Sequence, residues 1–232
     1  VGANVTDFHL EEEVYALANI GGNGAYAQYV AINAEFVAKK PKTLSHPHSA
    51  SIPLASLTAW QALDELAQLK AGDSILLNGA SGGVGSFAVQ FAKLAGAKVT
   101  AVASKANHKY LLSLGAHHVV DYNAEGYLET LGQFDVVFDI VDNDVAGIYD
   151  KVTATGRYIS TLKLHEIPAQ YTFEHKRVFV APNGDQLAEI AKKIDSNQMV
   201  IPEIIEMNID EIARAHRLSE TQHVRGKIVI SI

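Results

Sequence analysis

Residues 72–93 read GDSILLNGASGGVGSFAVQFAK, and the fold follows from how this stretch changes character along its length. Ser74 to Asn78 is an apolar run too short for a helix and right for a buried strand. It enters the glycine-dense turn Gly79-Ala80-Ser81-Gly82-Gly83-Val84-Gly85. Beyond the turn, Val84, Phe87, Ala88, Phe91, Ala92 and Ala95 recur at three- and four-residue steps, so the helix they form has one stripe to lay on a sheet. Strand, glycine turn and helix in succession suit a diphosphate. No side chain keeps the backbone from the ligand, and the free N–H groups of the helix start point at it. The helix dipole adds roughly 0.3–1 kcal/mol for a phosphate there. The other common phosphate cradle, a loop ending in Gly-Lys-Ser/Thr, is not present, because Ser86 and Phe87 come directly after Gly85.

Composition narrows the classes. A chain of 232 residues, 48% hydrophobic and 19% charged, buries the core of one large domain or two small ones. A formal charge of −7 and a pI near 5.8 argue against a nucleic-acid or anionic-membrane surface, which needs clustered Lys and Arg. The sequence has no cysteine, which excludes disulfides and thiolate zinc sites. No apolar run approaches the roughly 20 residues of a membrane helix. His46 and His48, in SHPHSA, have a spacing seen in metal sites, but no third ligand stands at a convincing distance, and the segment reads as a solvated loop.

Outward from the glycine turn, residues 1 to 40 read as short β runs (VGANVTDF, EEVYALA, AYAQYVAI, FVAKKP), and Ile52 to Leu66 as a helix. Lys98 to Ser104, Phe134 to Val141, Arg157 to Ser160 and Lys176 to Ala181 are strands or strand-like runs. Gly184 to Ile194 and Ile209 to Ser219 are helices, and Lys227 to Ile232 is a last strand. The alternation from residue 74 onward predicts an α/β, doubly wound parallel sheet. The end of the second strand of this sheet bears on the cofactor. A fold of this kind that prefers NAD carries an acid about 20 residues past its glycines, yet none stands between Gly96 and Val120. Ser104-Lys105-Ala106-Asn107-His108-Lys109 offers a hydroxyl, an amide and two ammonium groups instead, which suits the 2′-phosphate of NADPH.

Gly72-Asp73, Leu76, Ala80-Ser81-Gly82-Gly83, Gly85, Gln90 and Lys93 together resemble the signature of the quinone oxidoreductase group, the zinc-free, zeta-crystallin-like branch of the medium-chain dehydrogenase/reductases. The likeness continues through GGNGAYAQYV at 21–30, IPLASLTAWQAL at 52–63 and HVRGKIVI at 223–230. It implies an NADP-binding Rossmann domain over 46–181, inserted in a β-rich GroES-like substrate domain whose segments are 1–45 and 182–232. Family members carry further strands before the first of these, so the opening part of that domain is expected to be missing from the sequence.

The resemblance also implies a site. Ala80, Ser81, Gly82, Gly83, Val84 and Gly85 would hold the pyrophosphate, with Thr58 and Val141 beside the nicotinamide. Ser104, Lys105 or Asn107, and Tyr122 would hold the 2′-phosphate. The backbone of Phe179 and Val180 would hold the carboxamide, plain core packing being the alternative for both. Arg225 or Lys227 would reach back toward the phosphates. Relatives commonly have glycine where Asp142 and Asn143 stand, and Gly-Asp where Glu11-Glu12-Glu13 stands. No metal-ligand type occurs in Leu54 to Thr58, where zinc-using relatives place one. The function implied is hydride transfer from NADPH to a quinone or other conjugated carbonyl without zinc, by a cytoplasmic enzyme, a homodimer, with neither nucleic acid nor membrane as partner. A targeting signal ahead of Val1 is left open. The alternatives are an enoyl-thioester or other enone reductase, and a crystallin-like protein that binds NADPH without turnover.

Overall fold

The computed structural model describes residues 1–18, 21–22, 24–141, 145–163, 166–221 and 224–232, with 145 and 146 described by their backbone alone. The chain divides into two compact units, one of Val1–Leu57 with Ala181–Ile232 and one of Thr58–Val180.

In chain order the strands are β1 (Val14–Ala16), β2 (Val37–Lys39), β3 (Ser74–Asn78), β4 (Lys98–Val102), β5 (His118–Val120), β6 (Phe134–Asp139), β7 (Val152–Ser160), β8 (Glu174–Arg177), β9 (Ile204–Asn208) and β10 (Lys227–Ser231). The α-helices are α1 (His46–Ala50), α2 (Pro53–Trp60), α3 (Gly83–Leu94), α4 (His108–Leu114), α5 (Val145–Tyr149), α6 (Gly184–Asp195) and α7 (Ile212–Glu220).

The second unit is built on a six-stranded sheet in the order β5-β4-β3-β6-β7-β8, parallel at every pairing. The chain starts in the middle at β3, runs outward through β4 and β5, then returns to the other side of β3 and runs outward again. Open sheets of this kind bind ligands in the crevice beyond the strands' carboxyl ends at such a reversal, which here falls between β3 and β6. Both faces of a parallel sheet are covered, which is why its strands are nearly continuous apolar runs. Ile75, Leu76, Leu77, Val136, Val137 and Phe138 are all fully buried. On one face, Leu76, Val102, Val137 and Tyr158 join Ile148, Tyr149, Val152 and Phe173 in a single cluster. Each such side chain contributes roughly 1.5–3 kcal/mol. Helix α3 packs on β3 and β4, and Phe91 meets Trp60 edge-on at 5.4 Å between ring centres.

In the other unit, β1 and β2 pair antiparallel and α6 packs on β2, with the Tyr15 hydroxyl donating to the Leu187 carbonyl at 2.7 Å. Strands β9 and β10 pair in parallel around α7.

Several expectations about elements change. Among the described residues of 1–45 only β1 and β2 are strands, so the β-rich reading of this segment is too generous. Residues 25–32 have strand-like composition but pair with no strand among the described residues and are largely exposed, and a strand exists only where its N–H and C=O groups find a ladder. The segment holding His46 and His48 is the short helix α1 rather than a loop. The helix expected over 52–66 is α-helical to Trp60 and then winds as a π-helix over Gln61–Leu66. Apolar spacing across so few turns does not separate the two windings. Strand β9 has no alternating pattern in its sequence, IIEMN, and its burial is correspondingly irregular.

Candidate cofactor site

Three glycines of the turn after β3 stand in three different settings. Gly79 has φ of +85°, a left-handed conformation that suits glycine, and a Cβ there would lie 3.1 Å from a Val141 methyl. A Cβ on Gly85 would come within 2.5 Å of the carbonyl oxygens of both Gly79 and Ala80, so the helix lies this close to the turn only because position 85 is bare. Gly82 differs from both. Its φ of −74° is open to any residue, and a Cβ would meet nothing nearer than the Gly79 oxygen at 3.7 Å. The protein's own packing leaves room for a side chain at 82. The bare position is a cradle that a side chain would fill.

Gly82 is also the N-cap of α3, accepting the Ser86 N–H at 2.9 Å, with no side chain to cap the first-turn N–H groups. Ala80 N–H donates to the Val102 carbonyl at 3.2 Å, tying the turn to β4. Ser81, Gly82, Gly83 and Val84 are half-buried, within reach of a ligand, whereas Ala80 and Gly85 are buried. These residues fit a diphosphate.

At the ends of β4 and β5 the structure gathers much of the expected rim. The Asn107 amide donates to the Ser104 hydroxyl at 3.1 Å, Lys105 is exposed, and Tyr122 is 37% exposed just beyond β5. Asp121 is a residue that sequence reasoning missed, standing directly after Val120. Its carboxylate accepts the N–H of Asn123 at 3.0 Å and its side-chain amide at 2.9 Å. The Asn123 backbone N–H, then its side chain, with the His108 ring and the Lys105 N–H adding, hold its pKa below the usual carboxylate range. The carboxylate therefore stays ionised, with hydrogen bonds inside its own turn.

Thr58 is buried, 6% exposed, in the last turn of α2. Val141 is partly exposed and lies against Gly79, while Asp142 and Asn143 lie outside the described residues. Val178 N–H, just past the end of β8, donates to the Ser160 carbonyl at 2.9 Å. Phe179 is 73% exposed, with the Arg177 guanidinium 4.3 Å from its ring centre, so core packing does not describe it. Val180 is half-buried.

Arg225 and Lys227 belong to the other unit. Arg225 pairs with the Glu203 carboxylate through both Nε, at 3.0 Å, and a terminal nitrogen. Lys227 lines a pocket of about 230 Å³ with Tyr26, His216 and Ser219, and burial lowers its ammonium pKa. His46 is 3.0 Å from Glu13 and His48 is 2.7 Å from the Ser45 hydroxyl. Among the described residues no group of three or more His, Asp or Glu could hold a metal ion.

Residues 114–230 match the zinc-binding dehydrogenase family. The mouse mitochondrial NAD(P)H oxidoreductase RTN4IP1 is 30% identical over 269 residues, covering 100% of this chain and 67% of its own length. The tomato (Solanum lycopersicum) 2-methylene-furan-3-one reductase is 33% identical over 240 residues, covering 99% of this chain and 60% of its own length. The quinone oxidoreductase of Coxiella burnetii superimposes with a TM-score of 0.90 at 32% identity, covering 100% of this chain and 75% of that one. The chain belongs to the quinone oxidoreductase group of medium-chain dehydrogenase/reductases. As a quinone oxidoreductase relative it spans between three fifths and three quarters of the length of these proteins.

Proposed function

We propose that this protein transfers hydride from NADPH to a quinone or another conjugated carbonyl, without zinc. The observation that carries the reading is Gly82: a position at the sheet's reversal point that the fold leaves free to bear a side chain, and that is bare, half-buried and at the start of a helix. The names of the relatives, an NAD(P)H oxidoreductase, a furanone reductase and a quinone oxidoreductase, support a nicotinamide-dependent reductase.

For the choice between NADPH and NADH we rely on the rim. Lys105 brings an ammonium and Ser104, Asn107 and Tyr122 bring neutral donors, while the ionised Asp121 accepts hydrogen bonds within its own turn. A cation and hydroxyls bind a 2′-phosphate that a free carboxylate would repel.

When bound, the reduced nicotinamide supplies the hydride. The residues of this chain bind and orient: the turn over 80–85 for the diphosphate, Thr58 and Val141 for the nicotinamide end, and the backbone of Phe179 and Val180 for the carboxamide. A conjugated acceptor takes hydride without a Lewis acid because its negative charge spreads as it forms, and a solvent proton completes the reduction. Positioning is then the protein's main contribution, and good alignment supplies roughly 7–11 kcal/mol of the barrier. A homodimer in the cytoplasm is the state we infer. The mouse relative is mitochondrial by name, so fractionation with the full-length protein is the check on compartment.

The test is NADPH oxidation by the full-length protein with quinones, enones and enoyl thioesters in turn. Turnover of quinones or enones supports the proposal. Turnover of thioesters alone transfers it to that acceptor class, and tight NADPH binding with no turnover points to a crystallin-like binding protein. Absence of saturable NADPH binding overturns it.

A further inference from the structure

One row of residues runs across the carboxyl end of the sheet. Val120, Val102, Asn78, Asp139, Ser160 and Arg177 are register partners from β5 through β8. Partners in a parallel ladder share a face, and Tyr158, two residues before Ser160, shares it too. Below the row, on the same face, lies the apolar cluster of Leu76, Val137 and Tyr158. In the middle of the row an ionisable group is fully enclosed: Asp139 is 1% exposed, with Asn78 at 1% and Ser160 and Tyr158 at 2%. A carboxylate in such a place is costly unless it is hydrogen-bonded, and an apolar residue of similar size would be the cheaper filling.

Its bonds show what it holds. Oδ1 accepts from the Asn78 amide at 2.9 Å and from the Val141 N–H at 3.2 Å, and Oδ2 accepts from the Tyr158 hydroxyl at 2.8 Å. Asn78 is the last residue of β3, directly before Gly79, and Val141 is the residue whose methyl packs 3.1 Å from where a Gly79 Cβ would stand. One carboxylate oxygen therefore grips both lips of the crevice at the sheet's reversal point, and the other anchors the grip to β7. Tyr158 keeps its proton for this bond, since burial, then the Asp139 charge, push its pKa well above the ordinary value.

We infer that Asp139 is a positioning residue for the cofactor, fixing the spacing between the glycine turn and the end of β6 so that both contact one dinucleotide. The inference rests on the reading of this crevice as the dinucleotide site.

The test measures NADPH dissociation constants and cooperative melting for the wild type, Asp139→Asn, Asp139→Ala, Asn78→Ala and the double alanine variant. Asn at 139 keeps an oxygen for Asn78 and Val141 and offers an N–H to the Tyr158 oxygen, so it should bind NADPH within about threefold of wild type. Asp139→Ala and Asn78→Ala should each bind at least about tenfold more weakly while still melting cooperatively. The double variant should be no weaker than the worse single one, because both act through one bond. A merely structural role would lower the melting temperature and leave the dissociation constant of the folded protein unchanged. Asp139→Ala binding as wild type does would overturn the inference. Should that variant not fold, Asn78→Ala decides alone, and binding within about threefold of wild type overturns it. A wild-type protein that binds no nicotinamide cofactor overturns both the inference and the reading beneath it, whereas tight wild-type binding with insensitive variants sinks the inference alone.

Discussion

Gly82 and Gly85 stand three residues apart and answer to different demands, which makes them separable by mutation. A valine at 82 places its Cβ at ordinary van der Waals distance, 3.7 Å from the Gly79 oxygen, so Gly82→Val should melt within a few degrees of wild type while NADPH affinity falls by about a hundredfold or more, equivalent to roughly 3 kcal/mol. An alanine at 85 drives its Cβ into two carbonyl oxygens of the chain's own backbone. Gly85→Ala should therefore lose roughly 1–3 kcal/mol of stability in denaturant titration, with any loss of binding a consequence of that. At the rim, Lys105→Glu tests whether the ammonium reads the 2′-phosphate. Isothermal titration should show NADPH weakened at least about tenfold and NADH changed by less than about threefold, since only the former carries the extra dianion. Equal losses for the two cofactors would remove Lys105 from the site.

At the scale of elements, the amino end of the sheet is pinned as deliberately as its carboxyl end. The Asp135 carboxylate, on β6, accepts both the N–H of Ser74 at 2.8 Å and its hydroxyl at 2.7 Å, on β3. The Ser74 N–H first, then its hydroxyl, hold the Asp135 pKa below the ordinary value, with Arg157 adding charge. A depressed carboxylate pKa means stability that is present above the unfolded-state value and is lost as the pH falls through the folded one. Asp135→Asn should thus be less stable than wild type near neutrality. The gap should close as the pH drops below the ordinary Asp value of about 3.9, which urea melts across pH would show. The neighbouring Arg157 extends the same clamp, donating to the Ala67 carbonyl at 2.7 Å and to Asp73 at 2.9 Å, so the connection after the π-helical turn is held to the strand bottoms.

For the whole molecule, the reading without zinc makes a direct prediction: prolonged dialysis of the full-length protein against a strong chelator should leave NADPH oxidation with a quinone unchanged. Loss of activity restored by zinc would contradict it. Family membership alone does not settle the point, because the matched family is named for zinc-binding dehydrogenases. The strands of the parallel sheet, the glycine turn and the helix after it were legible along the chain because each is local. A short apolar run, a glycine cluster and a 3.6-residue stripe each declare themselves within a few turns of backbone. The roles of the individual glycines were not, since Gly79, Gly82 and Gly85 look alike in one dimension and differ only in what lies beside each Cβ in space. Nor was Asp139, which reads as one more residue of an apolar run. It becomes the bolt of a crevice only when the ladder sets Asn78 and Tyr158 on either side of it. Sequence alone pointed to the class of ligand, because a glycine turn between strand and helix, the local feature that would admit a diphosphate, is encoded along the chain. Tertiary structure decided which side chains hold that backbone open, because their partners lie 61 and 19 residues away along the chain and meet only through strand pairing.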